Sequence, residues 1–282
     1  MSYPVFDNHV HLRREGRFIA AADEFRRRGG TGMMLVNLPP AVPVTESSYF
    51  EIMYSAAEKL RDEVKSTLGL TVLLAVGPYP VTLLEMAEKL GIEEAEGRMT
   101  SAAVLAARHV VEGRADAIGE VGRPHFPVPE EIMEASNRIL RACMEEAKGA
   151  GCAVIIHAED PSPESMSDLA RRADSAGLDR GRVVRHHCTD LILPGENHGL
   201  FPSITAKRDT VAQAAKKGSR FMLETDYIDD PRNPGAFLGI GTVPKRVREL
   251  VDASGSDDKI AWKVGFENPS AVYGSDRFPS GR

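Results

Sequence analysis

Imidazole and carboxylate side chains stand at the ends of several short apolar segments of this sequence. The first segment carries His9 and His11, and residues two apart on a β-strand point to the same side of the strand. Later segments end in Glu120, His157 and Asp226. Side chains of these types bind divalent metal ions when several of them converge. The spacing therefore predicts a metal site that is assembled from several strand ends.

A further segment ends in two adjacent histidines, His186 and His187. Neighbouring residues of a strand point to opposite sides, so only one of the two is expected to face the site. Taken singly, these ionisable residues have ordinary explanations, because a lone histidine usually belongs to a core or a surface and a carboxylate often caps a helix. Their joint occurrence at five strand ends favours a metal site, since buried ionisable groups need partners or metals.

The residue types favour two divalent ions. Imidazole with carboxylate suits Zn²⁺, which we take as the first choice, or manganese, magnesium, iron or nickel, better than it suits Ca²⁺. We expect one ion on His9, His11 and Asp226, and a second on His157 and the histidine of the sixth strand. Glu120 can bridge the two ions. A hydroxide shared by both ions would be the nucleophile, and Asp226 would accept its proton and pass it to the leaving group.

Short runs rich in Val, Ile and Leu alternate with longer amphipathic stretches along the chain. Such alternation is typical of a parallel sheet that is covered by helices, and no glycine-rich phosphate loop follows the first strand to indicate an open doubly wound sheet. We predict an α/β fold, a single (β/α)8 TIM-type barrel over residues 1–282 with a C-terminal extension from about residue 229. The predicted strands are 5–12, 33–38, 71–76, 117–121, 153–157, 182–187, 200–204 and 220–226. The predicted helices are 19–28, 46–66, 83–90, 101–112, 130–147, 164–176, 210–217 and 243–251.

The bulk composition excludes several classes of protein. The 282 residues carry a formal net charge of −6, which argues against a protein that coats nucleic acid by bulk charge. No apolar run approaches the roughly 20 residues that span a bilayer, so no membrane partner is expected. Three cysteines without CxxC spacing do not form a disulfide framework. Together with an N-terminus that lacks a signal core, this predicts a cytoplasmic protein.

Five motifs resemble those of one known family in both order and type. They are FDNHVHL at 6–12, GEVG at 119–122, IHA at 156–158, HC at 187–188 and LETD at 223–226. In these the sequence resembles the TatD-related metal-dependent hydrolases of the amidohydrolase superfamily, over essentially the whole chain. The resemblance implies a TIM-type barrel with one to three divalent metals and phosphodiester cleavage, and many members of the family resemble deoxyribonucleases. It implies metal ligands at His9, His11, Glu120, His157, His187 and Asp226, and it selects His187 over His186.

The sequence departs from the family pattern in the loops that follow these motifs. Arg13 stands where an aspartate usually follows HxHL, and Arg123-Pro124 replaces the usual Leu-Asp. Thr189-Asp190 replaces an aromatic-Ser-Gly stretch. The departures indicate a divergent branch, of an archaeal type. Because such loops select substrates, these departures argue against a nuclease activity more strongly than against the metal site.

We therefore predict a metal-dependent hydrolase, most simply one that cleaves phosphodiester bonds in DNA or in a small substrate. Asp226 and Glu120 are the predicted catalytic residues, and Arg123 is a predicted substrate-binding residue because its planar fork matches a phosphate. A small-molecule amidohydrolase, lactonase or phosphoesterase on the same metal core is the alternative, since barrels host many reactions. A non-catalytic binding barrel is a third hypothesis, which the intact ligand set disfavours.

Overall fold

The strands of the computed structural model, which describes residues 3–230, 232 and 238–279, form a single parallel sheet. The first eight strands lie in the sheet in their order along the chain, so each of them pairs with the next, and the short ninth strand pairs with the first. The strands are β1 Phe6–His11, β2 Gly32–Val36, β3 Thr71–Val76, β4 Ala117–Gly122, β5 Ala153–His157, β6 Val183–Cys188, β7 Phe201–Thr205, β8 Met222–Glu224 and β9 Tyr227–Ile228.

The sheet closes on itself through its first and last strands. β9 pairs with β1, with Val10 opposite Tyr227. Because β8 and β9 are separated by Thr225 and Asp226 alone, they are two parts of one interrupted strand. Asp7 stabilises this seam between the first and last strands, because its side chain accepts hydrogen bonds from the Thr225 amide at 3.0 Å and the Thr225 hydroxyl at 2.7 Å. The predicted TIM-type (β/α)8 barrel is confirmed.

Helices follow the strands and cover the outside of the barrel. Helix α6 shows how the sequence starts and stops them: Ser162 and Ser165 form a reciprocal cap, Pro163 occupies the first turn, and Gly177 ends the helix in a left-handed conformation. The helices are α1 Ile19–Arg27, α2 Tyr49–Leu68, α3 Thr82–Leu90, α4 Ile92–Val111, α5 Glu130–Ala150, α6 Pro163–Ala176, α7 Pro194–Asn197, α8 Arg208–Lys217, α9 Thr242–Ala253, α10 Lys259–Trp262 and α11 Asn268–Tyr273.

One helix begins well before its predicted start. The sequence pattern predicts a helix from residue 101, whereas α4 begins at Ile92. Gly97 interrupts the periodic pattern, but the first turn of the helix, just before it, holds Glu93 and Glu94. Acidic residues stabilise the first turn of a helix because they lie near the positive end of its dipole, and this offsets a glycine that costs about 1 kcal/mol.

The C-terminal segment packs beneath the barrel, at the end where the strands begin. The ring of Phe278 lies 5.4 Å from that of Phe6 at the start of β1. Asn268 donates hydrogen bonds to the carbonyls of Ser219 (2.7 Å) and Phe221 (2.8 Å), just before β8. This part of the predicted extension therefore completes the core inside the barrel and does not cover the mouth. Residues 231, 233–237 and 280–282 of the extension lie outside the described residues.

None of the helices in residues 3–230 and 238–279 is long and apolar enough to cross a membrane. The predicted cytoplasmic location stays a prediction. The three cysteines are free and buried.

We predict that Phe278→Ala lowers the free energy of unfolding by about 3 kcal/mol, because it opens a cavity beneath the barrel where Phe278 packs on Phe6 and Phe266. Urea unfolding measures the change. Val104→Ala on the exposed face of α4 is the matched control and should change stability by less than about 0.5 kcal/mol. Equal stability of Phe278→Ala and the wild type would contradict the role of the segment as part of the core.

Candidate metal centre

The two histidines of β1 converge with the carboxylate after β8 at the mouth of the barrel. The Nε2 atoms of His9 and His11 lie 3.1 Å apart. Each also approaches Oδ1 of Asp226, at 4.0 Å for His9 and 3.7 Å for His11. All three residues are buried. Three ligand atoms that face one point in this way form a candidate site for one ion.

Glu120, on β4, lies between this group and the histidines of the next strands. Its Oε2 lies 3.2 Å from Nδ1 of His157 and 3.6 Å from Nε2 of His186, and 3.8 Å from Nε2 of His9. Its other oxygen, Oε1, lies 3.9 Å from Nε2 of His11. The Oε2 atom is buried without a hydrogen-bond partner. A carboxylate surrounded by imidazoles but left without a hydrogen bond is suited to hold a cation.

The structure places His186, not His187, in the buried centre. Val184, two residues earlier on β6, packs in the cluster inside the barrel, so His186 shares its side. The side chain of His187 is 51% exposed at the rim, with Nδ1 3.6 Å from Oδ2 of Asp226. The family resemblance implies that His187, next to Cys188, is the metal ligand. The alternation of side chains along β6 instead turns His186 towards the inside of the barrel. The geometry favours His186 as the ligand from this strand.

The backbone is irregular at the end of β6 and directly after β8. His187 and Asp226 adopt left-handed conformations, with φ of 54° and 51°, which are uncommon for residues other than glycine. The register of β6 against β7 shifts between Arg185 and Cys188, and the last strand is interrupted at Asp226. These interruptions let Asp226 turn towards His9 and His11 instead of continuing the alternation of a regular strand.

Acceptor oxygen atoms lie behind two of these histidines, His11 and His186. Nδ1 of His11 lies 3.0 Å from the carbonyl oxygen of Val36. Nδ1 of His186 lies 2.9 Å from Oε1 of the fully buried Glu224. An acceptor behind one ring nitrogen keeps the proton there and leaves the other nitrogen free to bind a metal. Glu224 therefore lies where it can orient the ring of His186.

The mouth contains one histidine that sequence reasoning did not assign to the site. His125, in the loop after β4, has Nδ1 2.8 Å from Nε2 of His157. It lines a cavity of about 240 Å³ at the metal centre, together with Tyr79 and Asp160. His125 lies in the loop after β4 and not on the strand, so the alternation of side chains along a strand does not predict where it points.

Arg123, the predicted substrate-binding residue, is turned away from the cavity. Its guanidinium is buried and pairs with Glu159 at 2.5 Å and with Asp168 at 2.7 Å. Arg123 therefore ties the loop after β4 to that after β5 and to α6. The guanidinium that lies against the site, that of Arg185, donates to the backbone carbonyls of Ala158 and Glu159, so it braces the same loop.

Comparison with known proteins identifies a family for this chain. Residues 6–274 match the family described as TatD related DNase. The chain belongs to this family.

One relative of this TatD-family chain is an uncharacterized protein from Methanocaldococcus jannaschii, 38% identical over 279 residues that cover 98% of the chain and 97% of that protein. Solved structures similar in fold include YjjV, a TatD homologue from Escherichia coli, with a TM-score of 0.67 and 18% identity, covering 97% of this chain and 99% of that one. The phosphotriesterase homology protein of E. coli, solved with phosphate in its active site, has a TM-score of 0.64 and 15% identity over the same shares.

Electrostatics favour the metal-binding forms of three candidate ligands in the TatD-family chain, namely Glu120, Asp226 and His9. Burial alone raises the pKa of Glu120, but His157, His9 and His186 outweigh it and hold the pKa well below its usual range. Burial likewise opposes ionisation of Asp226, and the nearby histidines nevertheless lower its pKa to about 2. Burial, with His186 and His11, lowers the pKa of His9 to about 3. Ionised carboxylates and a neutral imidazole are the forms that bind metal.

We predict that His186→Asn lowers the metal content of the reconstituted protein by one ion per chain, because it removes a nitrogen that faces Glu120. His187→Asn should keep the wild-type content, since that side chain stands at the rim. Elemental analysis after Zn²⁺ reconstitution and desalting measures both. His198→Asn is the control, because asparagine tolerates its left-handed backbone. Loss of an ion from His187→Asn alone would restore the assignment that the family motif implies.

Proposed function

We propose that this protein is a two-metal hydrolase that cleaves phosphodiester bonds. The observation that carries the proposal is the position of Glu120, whose two oxygens lie within 4 Å of imidazoles from β1, β5 and β6. A single buried carboxylate placed between two groups of ligands is the arrangement expected of a bridge between two ions. The description of the family supports a phosphodiester as the substrate.

The residues divide into two ligand groups. His9, His11 and Asp226 would hold one ion, and His157 with His186 would hold the second, with Glu120 common to both. The donors fit the first choice of zinc, and manganese, magnesium, iron and nickel remain alternatives. When bound, such ions supply a nucleophilic water at neutral pH and polarise a phosphoryl oxygen.

Asp226 is placed to move a proton during cleavage. Its Oδ1 faces His9 and His11, whereas its Oδ2 lies 3.6 Å from the rim residue His187. Oδ2 therefore points towards the mouth, where it can accept a proton from the attacking water. As the new P–O bond forms and the old one breaks, Asp226 returns this proton to the leaving oxygen. His187 orients the carboxylate for this transfer.

The mouth suits a substrate whose charge the ions neutralise. Arg123 and Arg185 direct their terminal guanidinium nitrogens to protein partners, so we assign charge neutralisation of the phosphate to the ions. The cavity of about 240 Å³ offers His125 and Tyr79 as polar contacts. The phosphate in the active site of the E. coli structural neighbour supports binding of a phosphoryl group at the corresponding mouth. The proposed substrates are therefore a DNA strand or a small phosphodiester.

Cleavage assays distinguish this proposal from the small-molecule alternative. We expect metal-dependent hydrolysis of bis(p-nitrophenyl) phosphate and of single-stranded DNA by protein reconstituted with Zn²⁺ or Mn²⁺, and loss of both activities with a chelator. Hydrolysis of a lactone or an amide, with neither phosphodiester cleaved, would instead identify a small-molecule amidohydrolase or lactonase on the same core. Cleavage of the small diester but not DNA would identify a small-molecule phosphoesterase.

We predict that Asp226→Asn lowers kcat for bis(p-nitrophenyl) phosphate by about 100- to 10,000-fold, because the amide cannot accept the proton. Circular dichroism should show an intact barrel. Asp62→Asn, at an exposed position on α2, is the matched control and should keep wild-type activity. A fully active Asp226→Asn variant at saturating metal would exclude the proposed proton transfer.

A further inference from the structure

A chain of buried polar side chains runs from the C-terminal segment through the barrel to His186. The hydroxyl of Tyr273, at the end of α11, donates to Oδ1 of Asn8 at 2.8 Å. Nδ2 of Asn8 donates to the hydroxyl of Ser203 at 3.0 Å. That hydroxyl donates to Oε2 of Glu224 at 2.5 Å, and the other oxygen of Glu224 lies 2.9 Å from Nδ1 of His186. The five residues come from α11, β1, β7, β8 and β6.

Each member of this chain is buried, so water is not available to replace a missing partner. Asn8, Ser203 and Glu224 are inaccessible to solvent, and Tyr273 is 7% exposed. An uncompensated buried polar group is costly, and the core inside the barrel around these residues is otherwise apolar. A fully connected polar network in such surroundings has few alternative arrangements, so it holds the side chains of its members in one geometry.

The order of donors along the chain has a direction. Oδ1 of Asn8 can only accept a hydrogen bond, so the hydroxyl of Tyr273 must donate to it. The NH₂ group of Asn8 therefore faces Ser203. Ser203 accepts from that amide and therefore gives its own proton to Glu224. Glu224, as an ionised acceptor 2.9 Å from Nδ1 of His186, favours a proton on that nitrogen. In the neutral ring, Nε2 of His186, 3.6 Å from Oε2 of Glu120, then carries the free lone pair.

We infer that Tyr273 is a positioning residue for the second metal ion, acting through Asn8, Ser203 and Glu224 on His186. The C-terminal segment thus completes the metal centre from beneath, although it lies at the opposite end of the barrel from the mouth. This inference rests on the proposed function in one respect, namely that His186 holds an ion. Its test is therefore a metal-binding measurement on the full chain, not an assay of activity.

The test compares Tyr273→Phe with Tyr54→Phe in protein stripped of metal and titrated with Zn²⁺ by calorimetry. Both tyrosines are buried, and each loses one hydroxyl hydrogen bond, that of Tyr54 being to the carbonyl of Ala102. We expect Tyr273→Phe to weaken the second ion about 10-fold and to leave the first unchanged, in the range found for partners of metal ligands. Tyr54→Phe should bind both ions as the wild type does. Ser203→Ala should weaken the second ion at least as much as Tyr273→Phe.

A second readout separates positioning from a general loss of stability. In the metal-free protein at about pH 10, above the pKa of about 9 to which, against the effect of burial, Glu224 and Asp226 raise His186, ¹⁵N NMR of the neutral His186 ring should report the tautomer with the proton on Nδ1, and Tyr273→Phe should mix in the other tautomer. Wild-type affinity and tautomer in Tyr273→Phe, with an ion lost from His186→Asn, would overturn the inference and leave the proposed function standing. Two ions retained by His186→Asn would instead overturn the ligand assignment, and the inference with it.

Discussion

The buried negative charge of Glu120 is the constraint on which the arrangement of the barrel mouth depends. A carboxylate inside a barrel is costly unless positive charge or hydrogen bonds compensate it, and among the described residues no hydrogen-bond donor is aligned on Oε2 of Glu120. Imidazoles from three strands surround it instead. Divalent ions held between these groups would compensate the charge fully, which explains why so many ionisable residues lie together in an otherwise apolar interior.

The same constraint accounts for the irregular backbone around the site. Regular parallel strands alternate their side chains and cannot bring every ligand to one point. The interruption at Asp226 and the register shift of β6 place the carboxylate and the histidines at usable distances. Two left-handed residues cost of order 1–3 kcal/mol each. The extensive barrel core supplies the stability that lets this local strain persist.

Much of this arrangement is predictable from the sequence, because short apolar runs that each end in a potential metal ligand are a strong signal. The barrel, the β1 histidine pair and the convergence of Glu120, His157 and Asp226 all follow from it. The choice between His186 and His187 does not, because the family motif and the alternation of the strand point to different residues.

Other features lie beyond any pattern of spacing. His125 enters the mouth from a loop, and the guanidinium of Arg123 turns to Glu159 and Asp168, which are distant in sequence. The packing of the C-terminal segment beneath the barrel depends on tertiary contacts such as that of Phe278 with Phe6. Local sequence carries no information on such partners, whereas it carries most of the information on strands and helices.

The seam between Asp7 and Thr225 also has a consequence for the newly made chain. β1 precedes every other strand along the chain, whereas its lateral partner β9 follows them all. Until β9 is synthesised, this edge of β1 has no strand to pair with, and the carboxylate of Asp226 is missing from the group that it forms with His9 and His11. An ion held by these three residues would therefore bind only after synthesis of the last strand, together with closure of the barrel.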